Sequence, residues 1–496
     1  MSSFLNRTLQ RSPLPLLGLL YFLSAKGHLE IIDTEYSVRT ALAIVEDGSM
    51  LIDPVDLHAL DILPKVEGTD KIYSQYGLGL VVLFLPLAIL GKTVATIGDL
   101  DQRVLIDFLL SFYNVPFAVL GLWFFRSILL KLGASANHAN AFMLFLAIST
   151  AYWKYSVTDF SEITQAAFLL GALHSILGDD RQKLRKASLW CSLLVAMKLV
   201  YVVLLPFFAL YAWLEKTDDS TKAKLNKIVD FSICLIPMGV LLATANYLRF
   251  GSILETGYGT QGSSFSFSYF QRDWFDYLFS TQRGIIPFNP VLLATLPTWF
   301  AIPKKHRKFF LLIISICICW YGLMCFWKSL QGGYCWGNRL LVPILPLLML
   351  PLAFLNIKSP GTRFFLWLLV PISVLIQLAT VSTKIHECSV LRNEITQATN
   401  LKTPNQLPST LRLFTSKLFH AEPIYAASEI GVPSDKQISL LEFDSFYGFN
   451  FWPVHLLNYM KLKYAIAFAG NFILVLILGI IGFLSYRILS ANTRQK

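Results

Sequence analysis

The sequence predicts an all-α polytopic membrane protein with about twelve transmembrane helices. The chain has 496 residues, of which 55% are hydrophobic and 15% are charged, whereas soluble proteins devote about a quarter of their residues to charge. Several apolar runs reach the ~20 residues that a helix needs to cross the hydrocarbon core. The runs are continuously apolar rather than alternating, so they favour helices over membrane strands.

The apolar runs predict the helices in order along the chain. The predicted helices are 12–26, 104–125, 138–156, 161–178, 187–200, 201–214, 228–248, 285–302, 309–327, 339–356, 364–383 and 464–487. One further run, 72–91, carries two early glycines and a central proline, Pro86. If this run crossed the membrane, a basic loop would fall on the outer side, so we expect it to lie along the outer leaflet.

The net charge of +11 comes from Lys and Arg residues that collect in short loops. Such loops face the cytoplasm, so 179–186, 216–227, 303–308 and the C-terminal tail are expected inside. The polar stretches expected outside are 27–103, 154–162, 249–284, 328–339 and 384–463. No basic stripe interleaved with aromatic residues is present, which argues against nucleic acid as a partner.

The topology divides the chain into three parts. Residues 1–383 form a membrane module that includes juxtamembrane helices in the first outer loop, 27–103. Residues 384–463 form an extracytoplasmic segment or small domain, and 464–496 hold the last helix and tail.

Two acids, Asp33 and Glu35, follow directly after the first apolar run. The stretch behind them repeats apolar residues at helical spacing, so it is expected to lie on the membrane surface. A carboxylate held there is desolvated, which raises its pKa and makes it a better general base. Both acids are therefore candidate catalytic residues.

Other outer stretches carry candidate substrate-binding side chains. Tyr73, Gln75 and Tyr76 begin the outer-leaflet helix, although an interfacial aromatic belt explains the two tyrosines equally well. Asp159 and Glu162 lie three residues apart at a helix start. They form either a capping box, with Asp159 as the N-cap, or a second acidic group of the site.

Three arginines lie at the outer ends of apolar runs. Any one of them is explained by snorkelling to the interface. Three on the same side as the acids favour a phosphate site, because guanidinium binds phosphate bidentately and stays charged when partly desolvated. With two neighbouring aromatic residues, the candidates for donor binding here are Arg249, Tyr258, Arg283, Trp336 and Arg339.

The ordered set of these stretches resembles the GT-C-type lipid-linked membrane glycosyltransferases. The branch is that of glycosyltransferase family 39, allied to protein O-mannosyltransferases and aminoarabinose transferases. The matching stretches are "DTEYSVRTALAIVEDGSMLID", "KIYSQYGLG", "YWKYSVTDFSE", "NYLRFGSILETGYG", "STQRGIIPFNP" and "QGGYCWGNRLLVPILPLLMLPLA". They cover most of residues 28 to 355.

The resemblance implies a GT-C-like bundle in which an acid of the first outer loop, here Asp33, is the catalytic base. It also implies an acidic pair in a later outer loop, similar to Asp159 and Glu162. The aminoarabinose-transferase branch has a Glu-Lys pair where this chain reads Ser74-Gln75. That difference removes a cation for the carrier phosphate and a metal ligand, so metal use stays open and Arg283 or Arg339 is the expected substitute.

These inferences predict an inverting glycosyltransferase of the bacterial inner membrane, with its site on the extracytoplasmic side. Its donor is a polyprenyl-phosphate sugar, and its acceptor is a hydroxyl of a glycan, lipid or protein. No cofactor is assigned. The main alternative is a transporter or flippase of lipid-linked sugars, which places charges near the bilayer midplane. A structural or assembly subunit is the third hypothesis, and it leaves the one-sided acids and arginines unexplained.

Overall fold

A computed structural model describes residues 12–53, 72–215, 220–257, 265–327, 335–385, 387–389, 392, 405–419, 449–460 and 463–493. The described chain is helical apart from one two-stranded antiparallel ribbon, β1 (Leu51–Ile52) with β2 (Ile72–Tyr73), in which Leu51 pairs with Tyr73. This ribbon closes the first outer loop behind its amphipathic helix.

The helices of the first half follow the predicted order. They are α1 (Leu14–Ser24), α2 (Ile32–Asp47), α3 (Leu78–Gly98), α4 (Gln102–Leu110), α5 (Asn114–Lys131), α6 (Ala136–Ile148), α7 (Ala151–Ser156), α8 (Glu162–Ile176), α9 (Lys183–Met197), a 3₁₀ helix (Leu199–Leu204) and α10 (Leu205–Leu214).

The second half contains more short and 3₁₀ helices. They are α11 (Thr221–Ser232), α12 (Leu235–Phe250), α13 (Phe267–Asp273), α14 (Asp276–Phe279), α15 (Ile285–Phe288), 3₁₀ helices Pro290–Ala301 and Lys304–His306, α16 (Arg307–Phe326), a 3₁₀ helix Arg339–Ile344, α17 (Leu345–Met349), a 3₁₀ helix Leu350–Phe354, α18 (Pro360–Ser382), α19 (Gln406–Phe419), α20 (Trp452–Tyr459) and α21 (Lys463–Thr493).

The number of membrane spans differs from the prediction. Five helices within the described ranges are long and apolar enough to cross a membrane, or six if the pair α11 and α12, bent by 41°, is one span. Five more apolar helices are shorter, at 10–17 residues. About twelve spans are therefore not confirmed. The predicted run 339–356 is broken because Pro343, Pro346 and Pro351 remove backbone donors, and its ends adopt 3₁₀ geometry.

The predicted outer-leaflet helix remains a prediction. Helix α3 is long and apolar enough to cross by itself, yet it runs beside the amphipathic α2. Tyr76, just before α3, contacts Asp33 at the start of α2, and Lys92 lies 3.9 Å from Glu46 near the end of α2. The two helices are therefore parallel neighbours over most of the length of α2.

Helix α8 forms the centre of the bundle, since almost every one of its residues is buried. It runs parallel to α5, with the first residues of the two helices together at one end and the last residues together at the other. At one end, the Asn114 amide donates to the Phe160 carbonyl over 2.6 Å. At the other end, Lys131 donates to the His174 carbonyl over 2.9 Å. A helix of this length separates its ends by roughly 20 Å, so the bundle has two polar ends.

The basic loops meet at the Lys131 end of the bundle. Lys183 binds Glu215, and Lys227 lies 3.2 Å from the other oxygen of the same carboxylate. Lys308 donates to the Leu214 carbonyl over 2.9 Å. The predicted basic loops thus share one end, whereas the candidate acids lie at the other.

Candidate active site

Asp33 lies in the first turn of α2 and contacts a side chain from far along the chain. Its Oδ1 accepts a hydrogen bond from the Tyr76 hydroxyl over 2.8 Å. Its Oδ2 accepts from Nη2 of Arg339, also over 2.8 Å and across 306 positions of sequence. The fold therefore brings together one predicted acid, one predicted arginine and one predicted tyrosine.

The expected rise in the pKa of Asp33 is wrong. Burial alone raises the pKa of this carboxyl, but the Arg339 charge and the hydrogen bonds from Arg339 and Tyr76 outweigh it and hold the pKa below its ordinary value. The prediction from the sequence included the desolvation of the carboxyl but not the charge of Arg339, which is far away along the chain. Asp33 is consequently ionised at neutral pH.

Glu35 has different surroundings from Asp33, although both lie in the first turn of α2. Its carboxylate accepts from Nε of Arg39 over 2.8 Å and also binds Arg103, which is paired with Asp107 at 2.8 Å. These contacts fasten α2 to α4. The structure thus gives Glu35 a network of its own, separate from the Asp33 pair.

Arg339 lies between two carboxylates. Besides Asp33, its Nε lies 3.8 Å from Oε1 of Glu162, the first residue of α8. Its guanidinium carbon stacks 4.3 Å from the centre of the Phe160 ring, a cation–π arrangement. Oε2 of Glu162 is buried without a hydrogen-bond partner among the described residues, so it is free to accept from a ligand.

Asp159 does not cap α8, and the predicted capping box is wrong. Ser161 occupies the N-cap position and α8 begins at Glu162. The Asp159 carboxylate instead accepts from the backbone N–H groups of Glu30 and Ile31 at 3.3 and 3.0 Å. Its carbonyl accepts from the Thr34 hydroxyl over 2.7 Å. Asp159 therefore anchors the start of the helix that carries Asp33.

Burial, together with the nearby Glu30 charge, raises the pKa of Asp159 to about 7 from an ordinary value of 3.8. A raised folded-state pKa contributes stability that is present below pH 3.8 and is lost as the pH rises through 7. Asp159→Asn keeps an acceptor for both N–H groups and removes the titration. The melting temperature of this variant in detergent, relative to that of the wild type, should increase as the pH rises between those two values.

The difference in the free energy of unfolding between the two proteins can change by at most about 1.4 kcal/mol per pH unit. Parallel melting-temperature curves for the two proteins over this pH range would contradict the assignment. A uniform loss of stability at every pH would indicate instead that the amide cannot replace the carboxylate at α2.

Arg283 is a buried cation that forms no ion pair with any residue in the described part of the chain. It is 6% exposed, and its Nε and Nη1 have no hydrogen-bond partner in the described part of the chain. Burial lowers its pKa to about 10, so it stays charged at neutral pH. The hydroxyl of buried Tyr277, which interacts electrostatically with it, is also unpartnered there. Such an arrangement suits an anionic ligand, because a buried charge is costly unless it is paired.

Cys335 lies near both site arginines: burial raises the pKa of its thiol, and the charges of Arg339 and Arg283 oppose that rise. The next residue, Trp336, is 3% exposed, and its indole N–H lacks a partner among the described residues. The Trp336 carbonyl accepts from the Tyr155 hydroxyl over 2.7 Å. The predicted residues Arg283, Trp336 and Arg339 thus belong to one region.

Arg249, near the end of α12, connects this helix to the segment that follows β2. Its guanidinium donates to the carbonyls of Ser74 and Tyr76 at 3.1 and 3.5 Å and to Oδ1 of Asn246 at 2.9 Å. These bonds hold the segment after β2, in which Oε1 of Gln75 is buried and has no hydrogen-bond partner in the described part of the chain. Tyr73 makes an edge contact with the Phe250 ring at 6.2 Å. Tyr258 lies outside the described residues.

Sequence reasoning did not select Lys198, which the fold adds to the site. Lys198 occupies an extended break between α9 and the following 3₁₀ helix. It interacts electrostatically with Glu162, Arg339 and Asp33, and its amine has no hydrogen bond or ion pair to the described residues. The sequence feature that could have identified Lys198 is its position inside an apolar run.

Glycines bring this lysine to the site. A Cβ at Gly79 would lie 2.7 Å from the Ala196 carbonyl carbon, and one at Gly77 would lie 2.3 Å from the Met197 carbonyl oxygen. The start of α3 therefore packs directly on the backbone at the end of α9. This close approach places the Tyr76 segment beside the Lys198 break.

Within the described ranges, no group of three or more His, Cys, Asp or Glu side chains is arranged to hold a metal ion. Around Asp33, the fold brings together a second carboxylate, Glu162, with Arg339 and Lys198. Arg283 is related to this group through Cys335, which lies near both arginines. These groups can accept a proton and bind an anion.

The sequence matches no protein-family model and no curated protein. Solved structures do match. ArnT from Cupriavidus metallidurans bound to undecaprenyl phosphate superposes with a TM-score of 0.51 at 13% identity, over 96% of this chain and 76% of that one. Its apo form gives 0.48 at 13% identity, over 98% and 78%. The Archaeoglobus fulgidus oligosaccharyltransferase gives 0.48 at 12% identity, over 83% and 60%.

The match to ArnT defines the class of fold. ArnT has the GT-C fold. This chain is a multi-pass membrane protein with the GT-C fold. The predicted resemblance is thereby confirmed at the level of the fold.

Proposed function

We propose that this protein is an inverting membrane glycosyltransferase that moves a sugar from a polyprenyl-phosphate carrier to an acceptor hydroxyl. The observation that carries the proposal is the Asp33–Arg339 pair, in which Nη2 and Oδ2 are 2.8 Å apart. The buried Arg283, whose Nε and Nη1 have no hydrogen-bond partner among the described residues, supports it. An ionised carboxylate and a cation available to a phosphate are the two groups that this reaction needs.

The reaction forms one bond and breaks one. Asp33 accepts the proton of the acceptor hydroxyl, and the hydroxyl oxygen attacks the anomeric carbon from the face opposite the carrier. The bond from the anomeric carbon to the phosphate oxygen breaks, and its electron pair leaves with the polyprenyl phosphate. Positive charge develops on the sugar ring, as in other glycosyl transfers.

Arg283 stabilises the departing phosphate in this proposal. Its Nε and Nη1 have no partner within the described ranges, so they are available to a phosphate in a fork geometry. Arg339 is occupied by Asp33 and Glu162, and its role is to keep the base ionised. Lys198 supplies a second cation near the acids and replaces the one that Ser74-Gln75 lacks.

We place the site on the extracytoplasmic side. The support is the distribution of charge, because Lys183, Lys227 and Lys308 meet at the opposite end of the bundle. Positive loops face the cytoplasm. The proposed compartment is a bacterial inner membrane, and the acceptor is a glycan, lipid or protein.

The test is release of the carrier. Purified protein in lipid nanodiscs is incubated with a panel of polyprenyl-phosphate sugars and an acceptor extract, with and without a chelator, and free polyprenyl phosphate is measured. We expect release from at least one donor by the wild type and almost none by Asp33→Asn. If no donor is cleaved while proteoliposomes move an intact lipid-linked sugar across the bilayer, the transporter hypothesis is correct instead.

A further inference from the structure

Helix α19 docks on the loops that carry both site arginines. Its first backbone N–H groups are satisfied from the loop before Arg283. The Gln406 N–H donates to Oε1 of Gln282 over 2.9 Å, and the Leu407 N–H donates to the Thr281 carbonyl over 3.1 Å. The first N–H groups of a helix have no partner inside it, so this contact fixes where α19 begins.

The Gln406 side chain binds the other loop. Its Nε2 donates to the Cys335 carbonyl over 2.7 Å, and its Oε1 accepts from the Gly337 N–H over 2.8 Å. Gln406 is 5% exposed. One amide therefore satisfies an acceptor and a donor on either side of Trp336.

The bound loop is a tight turn. Gly337 has φ +54°, and a Cβ there would lie 2.9 Å from the Phe288 ring. The left-handed conformation favours glycine, and two residues later Arg339 reaches Asp33. Buried backbone N–H and C=O groups need hydrogen-bond partners, and Gln406 satisfies two such groups of this turn.

We propose that Gln406 is a positioning residue that sets Arg283 and Arg339 relative to Asp33. The inference rests on the proposed function and gives a role to a segment for which the sequence offers no motif. Gln406 bonds the backbone of the Arg339 loop with its side chain and the Arg283 loop with its own N–H. A misplacement of about 1 Å at reacting groups can cost ~100-fold in rate.

Three variants test this role. Gln406→Met keeps the shape and removes both side-chain bonds. Gln406→Glu keeps the acceptor for Gly337 but loses the donor to Cys335 until its carboxyl is protonated. Ser409→Ala is the matched control, because Ser409 is also buried on α19 and, among the described residues, its hydroxyl bonds only the carbonyl of Asn405, 3.0 Å away.

We expect Gln406→Met to lower kcat for carrier release roughly 10- to 100-fold, with a smaller change in KM for the donor, and Ser409→Ala to behave as wild type. The activity of Gln406→Glu relative to wild type rises as the pH falls from about 8 to about 5, because the protonated acid restores the missing donor. That pH signature keeps the test decisive if the Met variant folds poorly.

A second readout does not depend on activity. Buried Cys335 should react with a maleimide faster in Gln406→Met than in Ser409→Ala, as followed by mass spectrometry of its peptide. Equal kcat in the Met variant and the control, or equal labelling rates, would overturn the inference. If the wild type cleaves no donor, the proposed function fails, while the labelling rate still decides whether Gln406 orders the turn.

Discussion

Asp33→Asn should leave a folded, membrane-inserted protein that transfers sugar ~10²–10⁴ times more slowly than the wild type. The amide oxygen still accepts from the Tyr76 hydroxyl, so the 2.8 Å contact can persist. What disappears is the group that takes the proton from the acceptor. Carrier release by purified protein, compared at equal amounts of folded enzyme, measures the loss.

Glu35→Gln is the matched control for this substitution. It removes a carboxylate from the same turn of α2, but one that contacts Arg39 and Arg103 rather than Arg339. Partly exposed ion pairs contribute about 0–1 kcal/mol, so this variant should be nearly as active as wild type. Wild-type transfer by Asp33→Asn, or equal losses in both variants, would refute Asp33 as the base.

The pH profile gives a further check on Asp33. Burial favours protonation, yet Arg339 and Tyr76 hold the pKa of Asp33 below the ordinary carboxyl range. A base works only when it is deprotonated, so the acid limb of kcat/KM should lie below that of an ordinary aspartate. Arg339→Gln should move this limb to higher pH, because the largest stabilising charge is removed.

Arg283→Met should lower the rate of carrier release by ~10²–10³-fold, since the departing phosphate loses a preorganised cation. It should also leave the melting temperature unchanged or raise it, because the guanidinium has no hydrogen-bond partner among the described residues and is buried at a cost. Loss of activity without loss of stability is the result expected of a ligand-binding group.

Two comparisons sharpen the Arg283 experiment. Arg283→Lys keeps the charge but not the fork, so it should recover only part of the activity. Arg39→Met removes an arginine of the first outer loop whose partner Glu35 retains Arg103, and it should act as wild type within about twofold. A destabilised but active Arg283→Met protein would show that the guanidinium serves the fold rather than the phosphate.

The sequence predicted the class of fold and several candidate site residues because these features depend on short stretches of the chain. Continuous apolar runs, basic loops and outer acids are each visible in a few dozen residues. Asp33 and Arg339 were expected on the same side of the membrane, but their pairing was not predicted. Helix lengths were less predictable, since the breaks at Lys198 and at the prolines of 343–351 depend on local backbone geometry and packing.

The roles of single polar residues were harder to predict. Asp159 was expected to cap its own helix, but its partner N–H of Ile31 lies 128 positions earlier. Arg249 fastens the Ser74 segment, and Lys198 and Gln406 were not selected at all. In each case the partner comes from a distant part of the chain, and spacing along the sequence carries no information about it.

By itself, then, the sequence determined that this is a helical membrane protein with acids and arginines collected on one face. Only the tertiary structure decided which acid pairs with Arg339, which arginine has no ion-pair partner among the described residues, and which lysine lies near the pair. The physical reason is that hydropathy is a property of each residue, so its pattern can be read from the sequence without the fold. Hydrogen bonds and ion pairs act over a few ångströms, and only the folded chain sets those distances.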